Sequence, residues 1–298
     1  MKQKRSMLAG CNILSGKFLI CILGTVLLCG FGQFPGSAGY KDEISLFAWL
    51  RYSQNELLAM GENASAYSVM VSFHDMEWFA VLMPLLASFP AVTDFAGQWS
   101  SGYYYPSISR KTRRKYAAGW MLRAAFAGFA CIVSGICIYF ILAWFKFPHF
   151  EEFGLDTESS MIAMAYGTTA GKRFLTLVVK VFHTGLLAAI LAMGSIAFTV
   201  VCCDGFFAIS SLTLLEYFSI KLSSAYEGWM FTHFYNQGRE ETMPSKIVRF
   251  FFPSNHLYYD QSFTYQYGVG YWLYLIFAVL LAVGIWLWFY RMVKKRDG

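Results

Sequence analysis

The sequence predicts an all-α integral membrane protein with six transmembrane helices. Hydrophobic residues make up 57% of the 298 residues and charged residues only 14%, whereas a soluble domain carries roughly 25% charged residues. A helix needs about 20 mostly apolar residues to cross a bilayer. Long windows without any charged residue meet that need, and they argue against a soluble domain: 18–40, 124–145, 181–203 and 261–290.

The six apolar segments form a single transmembrane domain over residues 1–298. Asp204 and Gly205 predict a tight turn between the fourth and fifth segments, because Asp-Gly interrupts two apolar runs. The longer connections are expected on the outer side, at 35–77, 146–173 and 223–266. The predicted spans are about 18–34, 78–95, 116–145, 174–201, 206–222 and 269–290.

Lysine and arginine residues predict the orientation. Basic residues are enriched at the cytoplasmic ends of spans, so we expect cytoplasmic termini, an even number of spans and a multi-pass plasma-membrane protein. The net charge of +6 reflects this asymmetry. The basic residues fall before the first span, between the second and third, and after the sixth: Lys2, Lys4, Arg5 and Lys17; Arg110, Lys111, Arg113, Arg114, Lys115 and Arg123; Arg291, Lys294, Lys295 and Arg296.

The first span has an alternative interpretation. An apolar run followed by the small residues "GSAG" could be a cleaved signal peptide. Cleavage would leave five spans and would not move the other loops. The cysteines fall within spans or on the basic side, which predicts no structural disulfide.

Enzyme motifs are weak or missing. The stretch "YGTTAGKRF", at 166–174, has three residues between Gly167 and Gly171 and Arg after Lys172, so it departs from a phosphate-binding loop. No HExxH or GxSxG motif occurs. His74 and His149 stand near acidic residues and could bind a metal, but a solvated polar rim is the simpler interpretation. We therefore expect no metal, no cofactor and no ATP hydrolysis on this chain.

Three ionisable residues fall within predicted spans, where charge is costly. Lys180 and His183 lie one turn apart on the fourth span, and Glu216 lies on the fifth. These residues either form a polar patch on a substrate path or include a packing ion pair between Lys180 and Glu216. In the second case Lys180 would extend toward the interface.

A stripe of small residues on the third span predicts close helix packing. Their spacing of four, three and four places them on one helix face, where backbones can approach closely. The stripe comprises Ala124, Gly128, Cys131 and Gly135.

The stretch "SSGYYYPSISRKTRRKYAAGW", residues 100–120, allows three interpretations. A nucleic-acid surface would need exposed aromatic platforms, and we expect no nucleic-acid partner. A lipid-headgroup anchor is typical of basic residues beside interfacial tyrosines. The third interpretation is a docking segment for a cytoplasmic protein.

A family resemblance favours the docking segment. The stretch "MPLLASFPAVTDFAGQWSSGYYYPSISRKTRRKYAAGW" resembles the region between the second and third spans of type-2 permeases of ATP-binding-cassette (ABC) exporters, which have the type V fold. Gln98 stands where that family usually has Glu. The resemblance implies a short coupling helix that seats on a separate ATPase, with these residues in or near it: Asp94, Phe95, Gln98, Gly102, Tyr103, Tyr104, Arg110 and Tyr116.

The resemblance also implies a function. The chain would be the permease subunit of an ATP-driven exporter, pairing with an identical or different second permease subunit in the bilayer. ATP and magnesium would bind to the partner ATPase, so this chain would not itself be an enzyme. Re-entrant helices are implied between the fifth and sixth spans. The alternatives are a membrane-embedded enzyme using the outer histidines, and a stand-alone channel or secondary carrier.

Overall fold

The computed structural model describes residues 15–34, 43–74, 77–102, 112–153, 169–233, 248 and 271–296. Nearly all of them are helical, apart from one pair of two-residue strands, β1 (Gln33–Phe34) and β2 (Glu43–Ile44). The α-helices are α1 (Gly16–Gly30), α2 (Ser45–Arg51), α3 (Gln54–Ala59), α4 (Ala66–Val71), α5 (Glu77–Ser100), α6 (Arg113–Lys146), α7 (Ala170–Cys202), α8 (Gly205–His233) and α9 (Tyr271–Arg296).

Within these residues, five helices are long and apolar enough to cross a membrane: α5, α6, α7, α8 and α9. The fold is therefore that of an all-α membrane protein. Helix α1 is apolar but has only 15 residues, about 22 Å of helix against a hydrocarbon core about 30 Å thick. Six spans therefore stay a prediction, because α1 is shorter than the thickness of the hydrocarbon core.

Helices α1, α8 and α9 differ in extent from the predicted spans, each for a local reason. Helix α1 ends at Gly30 rather than at 34, because the chain turns to pass Ser72 at Gly32, where a Cβ would lie 2.7 Å from the Ser72 carbonyl oxygen. Helix α8 continues to His233 although its hydropathy falls after 222, since polar residues can extend a helix beyond the bilayer. Helix α9 likewise continues through its basic end to Arg296.

The predicted turn between the fourth and fifth spans is confirmed. Helix α7 ends at Cys202, and Cys203 adopts the left-handed conformation with φ of 56°. The Asp204 carboxylate accepts a hydrogen bond from the Phe207 N–H at 2.9 Å, which caps the start of α8. Gly205 is required there, since a Cβ would lie 2.7 Å from the Cβ of Ala96 on α5.

Two ion pairs mark the ends of the bundle. Lys17 at the start of α1 bonds Asp94 near the end of α5 at 2.8 Å. We call this end, where α6 also begins with three basic residues, the basic end. At the opposite end, Lys221 of α8 bonds Glu77 at the start of α5 at 2.7 Å. Helix α5 therefore runs antiparallel to α1 and α8, and it also packs against α6 and α7.

A cap covers the end opposite the basic end. It comprises residues 45–74, which form α2, α3, α4 and the 3₁₀ turns Glu62–Ala64 and Ser72–His74. Its apolar side chains enter the core between the span helices, including Leu57, Val69, Met70 and Phe73. The Ala66 N–H donates to the Pro148 carbonyl at 2.8 Å, and Tyr139 of α6 donates to Ser45 at 2.8 Å. The cap is thus a packed layer of the fold.

Candidate functional site

An aromatic cluster joins three helices at the basic end. Phe95 of α5 lies at its centre, with its ring centroid 5.5 Å from Trp99, 5.1 Å from Trp120 of α6 and 5.8 Å from Phe289 of α9. All four side chains are buried, as is Tyr116. Aromatic pairs at these separations add to the stability from burial alone. The cluster therefore fixes the ends of α5, α6 and α9 relative to one another.

The structure corrects the predicted coupling helix. Asp94, Phe95 and Gln98 lie on the last turns of α5, because Phe95 and Trp99 continue its buried face beyond the predicted end of the span. The helix stops at Ser100, and Gly102 has a φ of +72°, which favours glycine. Residues 94–100 therefore belong to α5 and not to a separate coupling helix. Tyr103, Tyr104 and Arg110 lie outside the described residues, so their place in a coupling helix stays a prediction.

The coupling residues that the structure describes do not form one surface. Asp94 is exposed and bonds Lys17, whereas Phe95 is buried in the aromatic cluster and Gln98 is half-buried. Tyr116 is also buried, on the first turn of α6. Phe95 and Tyr116 are consequently core residues of α5 and α6.

A buried basic cluster lies between the cap and α7. It consists of His74, Lys180 and His183, which are all almost fully buried. The Lys180 ammonium donates to the Val71 carbonyl oxygen at 2.8 Å. The His183 ring lies 4.5 Å from the ring of Tyr274, which brings α9 into the same cluster. Burial, with Lys180 and His183 nearby, lowers the pKa of His74 well below its usual range, so His74 is neutral at neutral pH.

The ion pair between Lys180 and Glu216 is not formed. Between described residues the ion pairs are Lys17–Asp94, Arg173–Glu151 and Lys221–Glu77. Lys180 reaches toward the cap instead, because the Val71 carbonyl lies within reach of its ammonium. Glu216 is buried on α8, so the three residues proposed as one patch separate into the buried basic cluster and a lone carboxyl group.

The small-residue stripe on α6 lies where helices approach closely. A Cβ on Gly128 would lie 2.9 Å from the Ala188 carbonyl oxygen of α7 and 3.2 Å from that of Ala87 on α5. A Cβ on Gly135 would lie 2.5 Å from Thr25 of α1. Ala124 and Cys131 are buried on the same face. The six cysteines in the described ranges, Cys131 among them, are free thiols.

Two features of the sequence have structural roles. Arg173, from the stretch that resembled a phosphate-binding loop, is buried over the ring of Phe150 at 4.7 Å and bonds Glu151 at 3.3 Å. His149 lies 4.3 Å from Trp144. Across the described part of the chain, no group of three or more His, Cys, Asp or Glu side chains is arranged to hold a metal ion.

Sequence reasoning missed the place of His74. A solvated polar rim was the simpler interpretation, but His74 is only 2% exposed. The signal was the apolar run "YSVMVSF" directly before it, which predicts that the adjoining residue on the same face is buried as well. Trp99 and Trp120 were also missed, although Trp99 comes after Phe95 at helical spacing.

Comparisons with protein-family models, curated proteins and solved structures found no match to this chain.

Proposed function

We propose that this chain is the membrane-spanning permease subunit of an ATP-driven exporter. It pairs with a second permease subunit, identical or different, and couples to a separate cytoplasmic ABC ATPase that binds ATP and magnesium. The coupling segment is the connection between α5 and α6, and its basic residues also anchor it at the lipid headgroups.

The aromatic cluster at the basic end supports this proposal. Helix α5 enters the connection directly after Trp99 and Ser100, and α6 leaves it at Arg113. Phe95 links these two helices to α9 through ring contacts of 5.1 Å and 5.8 Å. Tightly packed interiors transmit displacement because they are nearly incompressible. A force on the connection would thus move three span helices together.

Helix α5 provides a route from that end to the other. It contacts α1, α6, α7 and α8 along its length and reaches Glu77, which bonds Lys221 of α8. Movement of α5 as a rigid helix would reach both α8 and the cap. Coupling of this kind requires two discrete arrangements of the packed helices.

A secondary carrier is the second candidate, and the buried ionisable residues favour it. Charged groups inside membrane spans commonly mark ion or substrate pathways, and Lys180, His183 and Glu216 are all buried within span helices. A carrier would transport without an ATPase, so the presence of the ATPase distinguishes the two functions.

The test compares two double variants, one within the connection and one at the start of α6. If Tyr103 and Tyr104 seat in an ATPase groove, their replacement by Ala should release the ATPase, because buried tyrosines often dominate interfaces. Replacing Arg113 and Arg114 by Gln is the matched control and should leave ATPase binding largely intact, since each headgroup contact is worth only about 1 kcal/mol. The measurement is co-purification of a Walker-motif ATPase with each variant.

The reverse result would show that the roles within the connection are wrongly assigned. Failure of the wild-type chain to co-purify with any Walker-motif ATPase, with its insertion verified, would contradict the exporter and favour the carrier.

A further inference from the structure

Glu216 is an acidic side chain buried in the middle of an apolar helix. It is 4% exposed, while its neighbours on α8, Leu215 and Phe218, are 48% and 60% exposed. Lys221, which bonds Glu77 at one end of the α5–α8 contact, is about 7.5 Å along the helix axis from Glu216. Gly205, packed on Ala96, lies about 16 Å away in the other direction. Glu216 therefore faces the bundle interior at depth.

The helices that pack against α8 bring no counter-charge to Glu216. The acidic groups of α5 are Glu77 and Asp94, and both are bonded to lysines, Lys221 and Lys17. Helix α7 carries Lys180, whose ammonium bonds Val71, and His183, whose ring lies beside Tyr274. Its other basic residues, Lys172 and Arg173, lie at its start, where Arg173 bonds Glu151. The structure gives the Glu216 carboxyl group no hydrogen bond or ion pair with any described residue.

An ionised carboxylate in these surroundings would be costly, because neither water nor a partner charge would compensate its lost hydration. We propose that Glu216 is a proton-binding site within the membrane, carrying its carboxyl group as the neutral acid while α8 packs against α5 and α7. The site exchanges a proton with water. On release the carboxyl O–H bond breaks, the proton passes to water and a carboxylate remains, and binding reverses these changes. This site goes beyond the proposed exporter function and does not depend on an ATPase.

The test is labelling of the full-length wild-type protein with dicyclohexylcarbodiimide, a membrane-soluble reagent for protonated carboxyl groups. The acid adds across a C=N bond of the reagent, and acyl transfer from oxygen to nitrogen leaves an N-acylurea that retains every atom of the reagent. Mass spectrometry of peptides locates and quantifies the adduct.

Glu77 is the internal control, because it is partly exposed and bonded to Lys221. An ordinary glutamate is protonated in roughly one molecule in 500 at pH 7, so Glu216 should be labelled on the order of a hundredfold faster than Glu77. Labelling of Glu216 should decline as the pH is raised and the carboxyl group loses its proton. Glu216→Gln should lack this adduct and keep the wild-type elution profile.

Labelling of wild-type Glu216 no faster than that of Glu77 would overturn the proposal. Because this measurement uses the wild-type chain, it holds even if Glu216→Gln fails to fold. Its outcome is separate from ATPase co-purification, so the proton site and the exporter function can fail independently.

Discussion

The Lys180 ammonium lies 2.8 Å from the Val71 carbonyl oxygen, so a charged side chain of span helix α7 holds the cap in place. Val71 is the last residue of α4, and carbonyl groups at a helix end have no partner within the helix. The bond therefore gives the buried Lys180 ammonium an acceptor on the cap.

Removing this bond should loosen the cap. A hydrogen bond involving a charged group contributes about 1.5–3 kcal/mol, so Lys180→Met should speed hydrogen exchange in residues 66–74 by roughly ten- to a hundredfold. Lys172→Met is the matched control, since Lys172 lies exposed on the same helix. Hydrogen-exchange mass spectrometry in detergent measures both, and equal exchange in the two variants would show that the bond does not hold the cap.

Close packing at Gly128 should make it intolerant of even one added methyl group. The Cβ of Gly128→Ala would lie 2.9 Å from a backbone oxygen of α7, and overpacking of this kind costs about 1–3 kcal/mol. Gly119→Ala, on the same helix but with no atom within 4 Å of its added Cβ, should be neutral or slightly stabilising. Thermal unfolding in detergent compares the two, and equal melting temperatures would contradict the packing.

The depressed pKa of His74 predicts an acid-sensitive fold. In the unfolded chain a histidine binds a proton near pH 6.5, whereas folded His74 resists protonation because it is buried. The unfolded state therefore binds more protons as pH falls below about 6.5, and the free energy of unfolding decreases with it.

His74→Gln should lessen this loss, and His233→Gln, at an exposed position, should not change it. The measurement is the melting temperature of each protein between about pH 8 and about pH 5. Parallel curves for the wild type and His74→Gln would rule out His74 as the cause.

Basic residues at the ends of the spans predict that the basic end faces the cytoplasm. Single cysteines in place of Ser101 and Asn55, both exposed, test this in a background without the seven native cysteines. In intact cells an impermeant maleimide should label the Asn55 position, and the Ser101 position should react only after permeabilisation. The opposite pattern would invert the orientation.

Much of the helical fold was predictable from local chemistry. Apolar segments predicted the five span helices, and Asp204-Gly205 predicted the turn before α8, because hydropathy and turn formation are properties of neighbouring residues. The end of α5 was not predictable in this way. Phe95 extends the buried face of α5 through ring contacts with Trp120 and Phe289, which are distant in sequence.

The candidate site was less predictable for the same reason. Lys180 and Glu216 were predicted to lie within spans, and both side chains are buried on span helices, but the contacts they make could not be predicted. The acceptor of Lys180 is a backbone carbonyl, which every residue carries and which therefore leaves no mark in the sequence.

The most direct measurement of the central claim is a cross-link from the basic end in native membranes. A photoreactive benzoylphenylalanine at Ser101, which lies exposed directly after α5, should form an adduct with a Walker-motif ATPase, while the same group at Asn55 in the cap should not. Mass spectrometry identifies the adducts. An ATPase adduct at position 101 alone is the result that the exporter function predicts. Adducts at 101 with lipid or with this chain only, from a protein verified as inserted, would contradict it.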